Sequence, residues 1–116
     1  MKYLIWSLMA CFVLVGALPA AAAPVRTISI TAKNWSFSPA TITLKVNQPV
    51  KLVFRSKEGI HAIIIPDLGV NQVVNVSSTP SEIKLTPKKT GVFVGHCAIF
   101  CGAGHANMII TIRVVK

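Results

Sequence analysis

Acidic residues are almost missing from this 116-residue chain. Glu58, Asp67 and Glu82 are the only three, against twelve lysines and arginines, and the formal net charge is +9. No paired-carboxylate arrangement for general acid–base chemistry is available, nor a serine–histidine arrangement for nucleophilic attack. Basic runs are short as well. The longest is Lys88-Lys89, and no nucleic-acid-binding motif surrounds it, so the charge does not point to DNA or RNA. Helical periodicity is nearly absent, internal repeats are absent, and low complexity is confined to the alanines at 20–23. The longest apolar run, Tyr3 to Leu18, falls short of the roughly 20 residues a spanning helix needs. Cysteine is scarce: there are three, and Cys11 lies inside that apolar run.

What is present begins with a leader. A basic Met1-Lys2, the apolar run, Pro19 and Ala20 to Ala23 form the pattern of a secretory signal peptide over residues 1–23, cut near Ala22 or Ala23. The alternative is an uncleaved anchor. A lipidated Cys11 is disfavoured, because the apolar segment before it is too short and continues past it. Residues 24–116, about 93 in all, then make one small domain in the periplasm or outside the cell, with a charge of +8. So basic a surface favours anionic partners or the outer face of an anionic membrane. In an oxidising compartment the ordinary reading of the remaining pair, Cys97 and Cys101, is a disulfide.

The mature region alternates with period 2. Ile28, Ile30 and Ala32 share one face, as do Ile42, Leu44 and Val46, and then Val50, Leu52 and Phe54. His61 to Ile65 has little polar face and is expected to be buried on both sides. Glu82 to Leu85 directs Ile83 and Leu85 inward. Val92 to Cys97 and Met108 to Lys116 are the last two strands. Asn34 to Pro39 reads as a turn whose Trp35 and Phe37 plug one end of the core, and Val70 to Val76 is ambiguous. Seven or eight short strands with turn signals every 8–12 residues predict an all-β Greek-key sandwich or barrel.

Chemistry concentrates between His96 and Met108. Cys97 and Cys101 lie four apart, His105 four further on and Met108 three after that. Thiolate, imidazole and thioether are donors that suit copper rather than calcium or magnesium. Cys97 ends one strand and Met108 begins another, so the segment between is a hairpin loop. Gly102 and Gly104 would let its backbone pass close to a metal. Strand parity puts Cys97 on the face of Gly95 and Phe93 and sends His96 to the other side, so His96 is not expected to be a ligand. His61, at the start of an apolar strand, is the remaining histidine and the candidate remote ligand. Ile99, Phe100, Ala103 and Ala106 are expected to keep water out.

Cys97-x3-Cys101-x3-His105-x2-Met108, with His61 upstream, resembles the dinuclear copper (CuA) centre of cytochrome c oxidase subunit II, and nitrous oxide reductase carries a similar centre. Gly59-Ile60-His61-Ala62, Pro66 to Val70, Trp35-Ser36-Phe37 and Thr90 to Gly95 also resemble stretches of that family. The resemblance implies a cupredoxin fold over residues 24–116 and two copper ions. It implies that Cys97 and Cys101 bridge both coppers, that His61 and His105 each serve one, and that Met108 is a weak ligand. It also implies that the backbone carbonyl of Ile99 binds, and that Glu58 stands where the family has an acid before its first histidine. The implied function is electron transfer with no catalytic site of its own, as a carrier or as the module that admits electrons to an oxidase. A copper storage or delivery protein is the alternative. For the site itself, mononuclear blue copper on His61, Cys101, His105 and Met108 has no use for Cys97. Zinc has no use for Met108, and a Cys97–Cys101 disulfide fits the metal-free protein. The expected partner is a redox protein, acidic or membrane-bound.

Overall fold

The structure is a computed structural model that describes residues 11–17 and 25–116. Residues 11–17 have no regular structure, and the rest of the leader lies outside the described residues. Among the described residues no helix is long and apolar enough to cross a membrane.

Nine strands follow one another among the described residues: β1 (Arg26–Lys33), β2 (Ser36–Ser38), β3 (Thr41–Lys45), β4 (Val50–Ser56), β5 (His61–Ile65), β6 (Val70–Val76), β7 (Ser81–Leu85), β8 (Gly91–Cys97) and β9 (Ile109–Val115). They form two sheets, of order β2-β1-β4-β7 and β3-β9-β8-β5-β6. β1 runs parallel to β4, and β3 to β9, while the other pairs are antiparallel. The all-β sandwich expected from the alternation is therefore what forms, with two additions. The segment from Asn34 to Pro39 is not only a turn, because Ser36–Ser38 pairs with the end of β1. The ambiguous Val70–Val76 is a full edge strand paired with β5.

The inward faces match the sequence periods. Ile30 and Ala32 from β1, Ile42 and Leu44 from β3, Leu52 and Phe54 from β4 and Ile110 and Ile112 from β9 are buried together between the sheets. Phe37 and Phe54 meet edge to face at 6.1 Å between centroids. Burying each such side chain stabilises the fold by about 1.5–3 kcal/mol. Trp35 does not join this plug; it is 39% exposed. Gly95 in β8 is a packing glycine, since a Cβ there would come within 2.9 Å of Ile65 and 3.0 Å of Ile110.

Register decides what the sandwich presents at its ends. The start of β5 and the end of β8 are paired neighbours, with Ile63 opposite Cys97. The end of β8 also adjoins the start of β9, with His96 opposite Ile109. His61, Cys97 and Met108 therefore arrive at one pole of the five-stranded sheet.

Candidate metal centre

Three strand ends set the frame of the site. The Cys97 N–H donates to the Met108 carbonyl at 3.1 Å, and the Ala98 N–H donates to the Ala62 carbonyl at 3.0 Å. These two bonds fasten the start of the loop to β9 on one side and β5 on the other. Further on, the loop closes through a 3-10 turn at His105–Asn107.

Inside this frame the donors converge. One ring nitrogen of His61 and the sulfurs of Cys97 and Cys101 all lie within 4.8 Å of one another. Cys101 is the centre of the group. Its Sγ is 3.1 Å from Cys97 Sγ, 3.5 Å from His105 Nδ1 and 3.7 Å from Met108 Sδ. Both thiols are free, and their separation is well beyond the ~2.05 Å of a disulfide. Cys97 Sγ also approaches the Ile99 carbonyl at 3.2 Å. Cys97, Met108 and His61 are buried, while Cys101, Ile99 and His105 are half-buried. The structure thus brings Cys97, Ile99, Cys101, His105 and Met108 around one point and places His61 beside it. His96 is exposed, on the opposite face from Cys97.

His61 shows what the site lacks within the protein. Its Nε2–H donates to the Glu58 carbonyl at 2.8 Å, and that same carbonyl accepts from the Ser56 hydroxyl at 2.8 Å. In the neutral imidazole this tautomer makes Nδ1 the nitrogen with a free lone pair. Among the described residues Nδ1 is a buried polar atom with no hydrogen-bond partner. Such an atom costs about 1–3 kcal/mol unless something binds it, and a soft or borderline metal ion meets that need. The fit to a metal with sulfur and imidazole ligands therefore rests on the donor chemistry and on this free nitrogen. Burial, then the hydrogen bond and charge of Cys97, pushes the Cys101 thiol up to about 11.

Two expectations about the loop are refined here, and the part played by Glu58 is defined. Gly102 and Gly104 leave room for an aromatic ring and not for a metal alone. A Cβ on Gly102 would lie 2.7 Å from the Trp35 indole, and one on Gly104 would lie 2.6 Å from it. Trp35, whose contribution to the site the sequence reading missed, donates its indole N–H to the Cys101 carbonyl at 2.8 Å. Phe100, Ala103 and Ala106 do not form a buried lining, although the Phe100 ring lies 5.7 Å from that of His105. All three are exposed, Phe100 by 82%, because the loop turns them outward and leaves only Ile99 packed on the core. Glu58 contributes through its main-chain carbonyl, and its side chain is exposed.

Two β-sheets face to face, with imidazole, thiol and thioether gathered on one end loop, define a cupredoxin-type domain. The sequence profile described as "Cupredoxin-like domain" matches residues 4–110, and the chain belongs to that family. It is 33% identical over 79 residues to cytochrome c oxidase subunit 2 of Saccharomyces cerevisiae, a match covering 66% of this chain and 30% of the yeast protein. Against the probable cytochrome c oxidase subunit 2 of Streptomyces coelicolor it is 33% identical over 77 residues, covering 66% and 24%. The chain spans less than a third of the curated relatives it matches. Among solved structures, the periplasmic domain of subunit II of cytochrome oxidase from Bradyrhizobium japonicum superposes with a TM-score of 0.70. That match has 24% identity and covers 78% of this chain and 84% of that one.

Proposed function

We propose that this domain is an exported copper-binding electron-transfer protein with a dinuclear centre of the CuA type, related to the periplasmic domain of cytochrome c oxidase subunit II. The observation that carries the reading is the convergence of three donor groups on one sulfur, Cys101 Sγ, beside a buried imidazole nitrogen with no protein partner among the described residues. Cys97 and Cys101 would hold the metals as thiolates, His61 and His105 as imidazoles, Met108 as a thioether and Ile99 through its carbonyl. Copper held by these soft thiolate, imidazole and thioether donors would supply one-electron transfer with little change in bonding.

The chain's own residues prepare for this. Ser56 and the Glu58 carbonyl fix the tautomer and tilt of His61. Trp35 holds the carbonyl of Cys101, and the sheet ends hold Cys97 and Met108. A rigid frame keeps the ligands in place through a redox change. Cys97 is what supports the dinuclear reading over a mononuclear one. Its sulfur is 3.1 Å from Cys101 and buried, where a single-copper site has no need of a second thiolate. The redox partner would be an acidic or membrane-bound protein, matching the basic surface, and the domain would work on the outer side of the cytoplasmic membrane.

Copper per chain and the electron paramagnetic resonance spectrum of the purified protein test the proposal together. Two coppers and an electron shared equally between two nuclei are expected, with reversible reduction and no copper loss. One copper per chain, or an electron confined to one nucleus, would overturn it. Cys97→Ser should abolish the shared-electron signal.

A further inference from the structure

We propose that the pole of the sandwich opposite the metal loop is a docking surface for an anionic lipid bilayer, so that the metal loop points away from the membrane. The inference is independent of which metal the site holds.

The cations are not spread evenly. Apart from Lys2 in the leader, the chain has eleven lysines and arginines. Strand register places eight of them at or near the pole far from Cys97. Arg26 begins β1 opposite Val50, and Lys51 and Lys84 face each other one step along. Lys45 ends β3 opposite Val115, and Arg113 lies opposite Val92 near the start of β8. Lys88 and Lys89 lie in the loop before β8, and Lys116 follows β9. Seven are exposed, and Lys51 is half-buried. The loops that carry them are tied together, since the Asn47 N–H donates to the Pro87 carbonyl at 2.7 Å and Arg26 reaches the Thr43 carbonyl at 3.1 Å. Two acids lie within this region. Glu82 is 3.7 Å from Lys51, and Asp67 shares a cleft with Lys88 and Lys89. At the metal pole only Lys33, Arg55 and Lys57 remain, beside Glu58.

A ring of cations on one end suits a charged plane better than a compact acidic partner. Each Lys or Arg is attracted only when it comes within a Debye length of the anionic surface, and an end-on approach brings most of them there at once. The polypeptide points the same way. It enters the fold at Val25 and Arg26, at this pole, and the apolar run Tyr3 to Leu18 precedes that point. Val25 itself is exposed and lines an apolar cleft with Pro49, Val50 and Leu85, with Lys51 and Lys84 on its walls. Any retained leader would therefore bring the cationic end to the bilayer.

Sedimentation of the full chain with vesicles tests this. Mixed phosphatidylglycerol–phosphatidylcholine vesicles are compared with pure phosphatidylcholine vesicles, so that insertion of the leader, common to both, cancels. Preference for the anionic vesicles is expected, weakening with added salt. The double variant Lys45→Glu with Lys88→Glu should lower that preference about tenfold or more. Lys33→Glu with Arg55→Glu changes net charge equally at the other pole and should lower it far less. Circular dichroism confirms that both variants fold. Equal binding to both vesicle types, or equal losses in the two variants, would overturn the proposal. So would binding to an acidic redox protein that Lys45→Glu with Lys88→Glu weakens while anionic vesicles are not preferred.

Discussion

Cys101 carries the strongest chemical demand of any single residue. Its thiol is pushed up to about 11 from an ordinary 9.0, by burial first and by Cys97 second. Metal binding needs the thiolate, so protons compete with copper at every pH below about 11. Copper uptake by the metal-free protein should therefore release protons and strengthen steadily as pH rises from 6 to 9, on the order of tenfold per proton released per pH unit. A competition titration with a chelator of known pH dependence checks this, and a flat profile would refute it. Stability has the opposite trend. The folded state favours the neutral thiol, so this contribution is complete below the unfolded value near 9.0 and is lost as pH rises through about 11. Denaturant midpoints of the metal-free protein should fall across that window and not below it. At this scale much was legible in the sequence. Strand parity separated buried Cys97 from exposed His96, because side chains alternate on any strand. The part played by the Glu58 carbonyl was not legible, since a main-chain atom leaves no mark on residue identity.

β6 and the metal loop show where element-level reading stops. Val70, Val74 and Val76 turn toward the core as alternation requires, yet Val73 stands 52% exposed on the other face. Val73 and Val74 are adjacent in sequence, as are Asn71 and Gln72, so apolar and polar residues do not alternate cleanly and the period is hidden. The loop glycines misled for another reason. Their spacing is local, but their cause, Trp35, is some 70 residues away and reaches them only through the fold. Gly104→Ala would put a Cβ 2.6 Å from that indole and should cost about 1–3 kcal/mol, read as a lower midpoint in a thermal melt with an altered copper spectrum. Gly95→Ala tests packing inside the sandwich. Its Cβ would meet Ile65 and Ile110, so a similar loss of stability is expected, with the spectrum of the remaining folded protein unchanged.

Over the whole molecule, three acids among so many cations decide which partners can approach. Electron exchange with a basic cytochrome should be slow at low ionic strength and quicken as salt is added, because screening relieves repulsion. Stopped-flow rates at two salt concentrations decide it. A fast reaction that slows with salt would show that local acidic groups, and not the net charge, govern the encounter. The fold class itself was readable at this scale from alternation alone, whereas the segregation of charge between poles was not. It depends on which strands run parallel, and that is set by sheet order rather than by any run of residues.

The hydrogen bond from Trp35 to Cys101 has one more effect. Trp35 sits between β1 and β2 of the four-stranded sheet, and Cys101 between β8 and β9 of the five-stranded one. A single contact thus staples the two layers where the metal would be held. Parting the layers takes the Trp35 support away from the loop that carries Cys101, and a filled site favours the folded, stapled state. Copper release and unfolding should then be one cooperative event, so the colour of the protein would fade at the temperature where the sandwich opens.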